Sequence, residues 1–191
     1  MFRPGRLGFS QSRQQDLILP AIEAVPRQGF SLSAKHSIET GYEHEIAEVH
    51  KDINQLCGAE FTLDPDFEEV YKALCGPDAE ISDTEWQSRI GATVLNYFKG
   101  LRDQLERQGF ENDDMLREGL QEAVESKTFR LRVIPKTNGN VSSKVVLEDG
   151  VIYMQRTSTR WVRRFFVDDL LHQLTPLFNP RASTQRIWGK D

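Results

Sequence analysis

Arginine and lysine crowd one part of this 191-residue chain. Residues 127–164 hold Lys127, Arg130, Arg132, Lys136, Lys144, Arg156, Arg160, Arg163 and Arg164, against only Glu148 and Asp149. Tyr153 and Trp161 are interleaved with them. A guanidinium is a planar fork that grips carboxylate or phosphate in two places and stacks on aromatic rings. A sheet face that mixes such groups can dock an acidic protein surface, or track phosphates and stack bases. The competing explanation is internal. Residues 41–126 carry 7 basic and 21 acidic groups, so opposite charges can meet across the fold or across a subunit interface.

Three other constellations invite chemistry, and each has a plainer explanation. His44, Glu45, Glu48 and His50, with His36 upstream, suggest a metal. The HExxH zinc pattern needs its second histidine at position 48, which is Glu48. On a helix His50 lies about 240° round from His44, so the two diverge, and a solvated polar face suffices. Arg164, Asp168 and His172 follow one another at i+4, the form of a carboxylate-oriented base but equally of a salt-bridged ridge. The acids Asp64, Asp66, Glu68, Glu69, Asp78, Glu80, Asp83 and Glu85 lack calcium-loop spacing. Several belong to first helical turns, where the macrodipole favours negative charge. The glycines build neither a phosphate loop nor a dinucleotide fingerprint. No metal or cofactor is expected.

The elements that must carry these residues change period along the chain. Residues 1–40 mix Pro, Gly, Ser and Gln and read as a flexible or loosely docked arm. Ile46, Val49, Ile53 and Leu56 then form a helical stripe ending at Gly58. Asp64 and Pro65 predict the start of a second helix packed through Phe67, Val70 and Leu74. Ser82 to Glu85 matches a capping box, predicting a third from there to Gly109, and Asn112 caps a fourth. The period then drops to two. Phe129, Leu131 and Val133 alternate with Arg130 and Arg132, as in a half-buried strand. Asp149-Gly150 is a type I′ hairpin signal that sets Leu147 against Ile152 and Val145 against Met154. These four then face the core, and Lys144 and Tyr153 face outward with Arg130 and Arg132. A closing helix is expected from Thr159 to Leu174, before Pro176.

The fold expected is α+β: about four helices, a three-stranded antiparallel meander and a closing helix, in one domain over 41–176 with an irregular tail at 177–191. A composition of 38 % hydrophobic and 28 % charged residues supports one core, and no apolar run reaches the roughly 20 residues of a membrane helix. Cys57 and Cys75 both fall on apolar helix faces, which fits a reducing compartment. The basic start (Arg3, Arg6, Arg13) is spoiled as a presequence by Pro4, Gly5 and Gly8, so a cytoplasmic rather than organellar location is expected. The leading functional expectation is a non-catalytic intracellular binding or assembly protein. It engages a protein partner, or a second copy, through the 128–174 sheet and helix. Arg130, Arg132, Lys144, Tyr153, Arg156, Arg160, Arg163 and Arg164 are the residues expected to carry that contact. The alternatives are an RNA- or DNA-binding module on the same face, and an enzyme using His172 and Asp168 in a cleft between helices and sheet.

Overall fold

The computed structural model describes residues 29–76, 84–134 and 143–157. Among the described residues the order is α1 (Leu32–Ile38), a π-helical turn (Glu39–Glu43), α2 (Ile46–Cys57), β1 (Thr62–Asp64) and α3 (Phe67–Cys75). A 3₁₀ turn (Glu85–Arg89), α4 (Ile90–Arg107), α5 (Asp114–Ala123), β2 (Thr128–Ile134), β3 (Ser143–Glu148) and β4 (Val151–Thr157) follow. Helix and sheet are mixed, and helices precede most of the sheet. Among the described residues no helix is long and apolar enough to cross a membrane.

The helices assemble because their apolar stripes coincide. Ile46, Val49, Ile53 and Leu56 of α2 are buried, and Gly58 closes the helix at φ 65°, a left-handed conformation that suits glycine. α4 is central: its stripe of Ile90, Val94, Phe98, Leu101 and Leu105 is buried, and α1 and α2 pack along it. Gly91 lets α1 come very close, since a Cβ there would lie 1.9 Å from the Ser37 carbonyl oxygen. The Gly91 N–H donates to Ser37 Oγ at 3.1 Å, so the approach is satisfied as well as tight. Residues 30–40, placed by the sequence at the end of an arm, thus contribute a capped helix and buried Phe30, Ala34 and Ile38.

Helix starts differ in detail from the sequence pattern. α3 is capped by Asp66, not Asp64, and Pro65 stays outside the helix. The third expected helix begins as a 3₁₀ turn and becomes α-helical only at Ile90. Asp113, one residue after the expected Asn112, caps α5 by accepting from Met115 and Leu116. Cys57 is buried as expected, but Cys75 is exposed on the last turn of α3; both are free.

The sheet departs from the expected meander. It has four strands in the order β1-β2-β4-β3 and is mixed: β1 with β2 and β2 with β4 are parallel, and only β3 with β4 is antiparallel. Two physical causes explain the difference. β1 is a three-residue strand, too short for any period to register, and its Thr62 N–H is anchored by the Lys127 carbonyl at 2.7 Å. β3 lies at the outer edge of the sheet, so the tight hairpin returns β4, not β3, to the side of β2. Asp149 (φ 50°) and Gly150 (φ 70°) take the left-handed pair of conformations that a type I′ turn requires. The hairpin register is the one the turn predicts: Leu147 opposite Ile152 and Val145 opposite Met154. Phe129, Leu131, Ile152 and Met154 present one buried face to the helices, and Phe61 stacks on Phe129 with centroids 5.0 Å apart. The other face carries Arg130, Arg132 and Tyr153.

Candidate functional site

Parallel pairing sets Arg130 of β2 between Asp64 of β1 and Tyr153 of β4, and the hairpin adds Val146 of β3 opposite Tyr153. Arg132 lies one pleat along, opposite Gln155. Because partnered residues in a sheet share a face, this register alone gathers two arginines, a tyrosine and an aspartate on the outer side. Phe129 and Leu131 hold the strand down from beneath.

The outer face is organised around the Tyr153 ring. Arg132 Cζ lies 3.5 Å from the ring centroid and Arg130 Cζ 6.0 Å from it. Both are within cation–π range, which adds order of 0.5–1 kcal/mol at exposed positions. Arg130 is bound through Nε and Nη2 to one oxygen of Asp64, each at 2.6 Å. The other oxygen of Asp64 accepts from the Asp66 N–H at 3.0 Å. Arg132 passes over Tyr153 in the opposite direction and meets Glu148 through Nη1 at 2.7 Å. Burial pulls the Arg130 guanidinium's pKa down, but the Asp64 carboxylate outweighs it and leaves it above the usual arginine value. Burial raises the pKa of the neighbouring Asp66 carboxyl, against the Glu69 N–H that it accepts as the cap of α3.

The other expected site residues separate. Arg156 is opposite Val133, on the helix-facing side of β4; it is buried, with Cζ 5.9 Å from the Tyr97 ring. Burial also raises the Tyr97 hydroxyl's pKa far above the ordinary tyrosine value, against the lowering effect of Arg156. Arg156 therefore does not join Arg130 and Arg132. Lys144 is opposite Gln155 in the register. Arg160, Arg163 and Arg164, the expected closing helix, and the pair Asp168 and His172 lie outside the described residues.

Asp64 and Glu148 are the site residues that sequence reasoning missed. Asp64 reads locally as a helix cap and Glu148 as the residue before a turn; what makes them partners is pairing across 66 and 16 residues of chain. The histidine group disperses too. His50 Nε2 meets the Phe61 carbonyl at 2.5 Å while His44 is exposed. Among the described residues no group of three or more His, Cys, Asp or Glu is placed to hold a metal. A cleft of about 280 Å³ between α2 and α4 is lined by Asp52, Gln55, Leu56, Arg102, Glu106 and Glu111. Arg102 is already engaged there, 2.7 Å from Asp103 and 3.6 Å from Asp52.

No family model, curated protein or solved structure matches the chain significantly.

Proposed function

We propose that this is a non-catalytic intracellular binding or assembly protein that engages a protein partner through the sheet of the 128–174 stretch and the helix expected to close it. The observation that supports this reading is the cluster of Arg130, Tyr153 and Arg132 on the sheet face turned away from the helices. Their guanidinium groups lie 6.0 and 3.5 Å from the ring, and the two arginine side chains stay 38 % and 36 % exposed. Arginine and tyrosine are the residue types that concentrate energy at protein interfaces. Side chains already held in place lose less freedom on association than free ones. A second copy is one such partner, because the helical part of the chain is strongly acidic.

The nucleic-acid alternative draws less support from the same geometry. Tracking phosphates rewards arginines that release counterions on binding. Arg130 and Arg132 are instead each bound to a carboxylate of the chain itself.

Immobilised full-length protein tests the reading when wild type is compared with the Arg130→Ala/Arg132→Ala variant. Proteins retained by wild type and lost by the variant, with unchanged far-ultraviolet circular dichroism, are the expected result. Retention that ignores the double substitution removes the outer face from consideration. If the retained protein is the chain itself, light scattering gives a mass that rises with concentration for wild type only.

A further inference from the structure

Arg130 and Arg132 share a strand and a face, yet they are held very differently. Arg130 grips one oxygen of Asp64 with two nitrogens, and Asp64 is itself fixed by the Asp66 N–H. That pair is a fastening between β1 and β2. Arg132 meets Glu148 through Nη1, and Glu148 is 45 % exposed beside the Asp149-Gly150 turn. Rotation of the Glu148 side chain alone would release it, with no change to the strand ladder. Arg132 also lies on the Tyr153 ring, 3.5 Å from its centroid, and that contact does not involve Glu148.

From this asymmetry we propose that Arg132 on Tyr153 is a carboxylate-recognition site closed by the protein's own Glu148. An Asp or Glu side chain of the partner displaces Glu148 and takes its place. The inference rests on the outer face being the partner-binding surface, and it names the partner's chemistry as an acidic peptide segment. The internal occupant is itself a carboxylate, so the site's stereochemistry for that group is already built. An exposed ion pair between side chains is worth at most about fivefold in an equilibrium constant, so a partner that makes further contacts can break it. Glu148 then acts as a weak internal competitor, rejecting isolated carboxylates and admitting those presented on a complementary surface.

The test uses the full-length protein and a fluorescein-labelled deca-glutamate peptide, read by fluorescence anisotropy at low salt. Glu148→Gln keeps the shape and removes the competing charge, so it should bind the peptide up to about fivefold tighter than wild type. Arg132→Ala should lose binding in both the wild-type and the Glu148→Gln background. Arg132→Lys, which keeps the charge but not the planar stack, should lose most of the gain. Equal affinity of wild type and Glu148→Gln, or undiminished binding by Arg132→Ala, overturns the proposal. A labelled deca-thymidylate bound more tightly than the peptide by Glu148→Gln also overturns it, in favour of a phosphate ligand. The outcome is separable from that of the retention experiment. Partner retention through Arg130 and Arg132 with no effect of Glu148→Gln defeats this proposal alone. Peptide binding that follows Glu148 and Arg132, without any retained partner, defeats the broader reading alone.

Discussion

Single side chains here owe their chemistry to which side of an element they occupy. Arg132 and Arg156 belong to adjacent parallel strands, yet one lies across the half-buried Tyr153 ring on the outer face and the other is buried beside Tyr97. The cysteines make the same contrast in a form that is easily measured. Cys57, on the inner face of α2, is fully buried, and burial pushes its thiol pKa up to about 12. At neutral pH it is therefore protonated and out of reach, and the thiolate is the species that attacks. Cys75 is exposed on α3. A chromogenic disulfide reagent should detect one fast thiol in native protein and two in concentrated urea. Cys75→Ser should remove the fast one, whereas two fast thiols in the native state would contradict the burial of Cys57.

Elements show where packing, not propensity, decides the structure. α1 is only seven residues long and too short to persist alone, so it exists because α4 lets it dock. Gly91 is the point of closest approach, and any side chain there must push the Ser37 backbone away. Gly91→Ala should therefore destabilise the protein by roughly 1–3 kcal/mol despite alanine's better helix propensity, as read by urea unfolding. Ser37→Ala, which leaves the Gly91 N–H without its acceptor, should cost about 1 kcal/mol in the same assay. A neutral or stabilising Gly91→Ala would mean that α1 does not sit where it is described. The sequence exposes some of this and hides the rest for identifiable reasons. Stripes such as Ile46, Val49, Ile53 and Leu56, and the Asp149-Gly150 turn, are local signals, and their helix and register follow. α1 is capped by Ser31 but shows only two buried apolar positions, too few for a period to emerge. β1 is shorter still. At the candidate site the arginines and Tyr153 are legible from alternation, whereas Asp64 and Glu148 are not. An ion pair across a sheet depends on strand order, and the parallel placement of β2 beside β4 is a tertiary choice that no short window of sequence encodes.

The described residues form a helical layer on one face of a mixed sheet, and their charge follows the same division. Acids dominate the helical region, while the outer sheet face presents arginines held by carboxylates from β1 and β3. The core beneath is continuous from Ile38 on α1 through Phe98 on α4 to Phe129 and Ile152 in the sheet. Resistance to local opening should be graded by distance from that core, because segments with few buried apolar contacts open at lower free energy. α4 is buried along a whole face and packed by both α1 and α2, and β2 is flanked on both sides by paired strands. β1, by contrast, is a three-residue strand in which Thr62 is exposed, joined to β2 by a short parallel ladder and the Asp64–Arg130 pair. Native-state hydrogen exchange should find the slowest amides in α4 and β2, and much faster exchange in β1. Asp64→Asn weakens the fastening, so it should speed exchange in β1 while leaving α4 unchanged. Equal acceleration in both would show that β1 opens only when the whole molecule unfolds, and that the Asp64–Arg130 pair is part of the global structure, not a local tie at its edge.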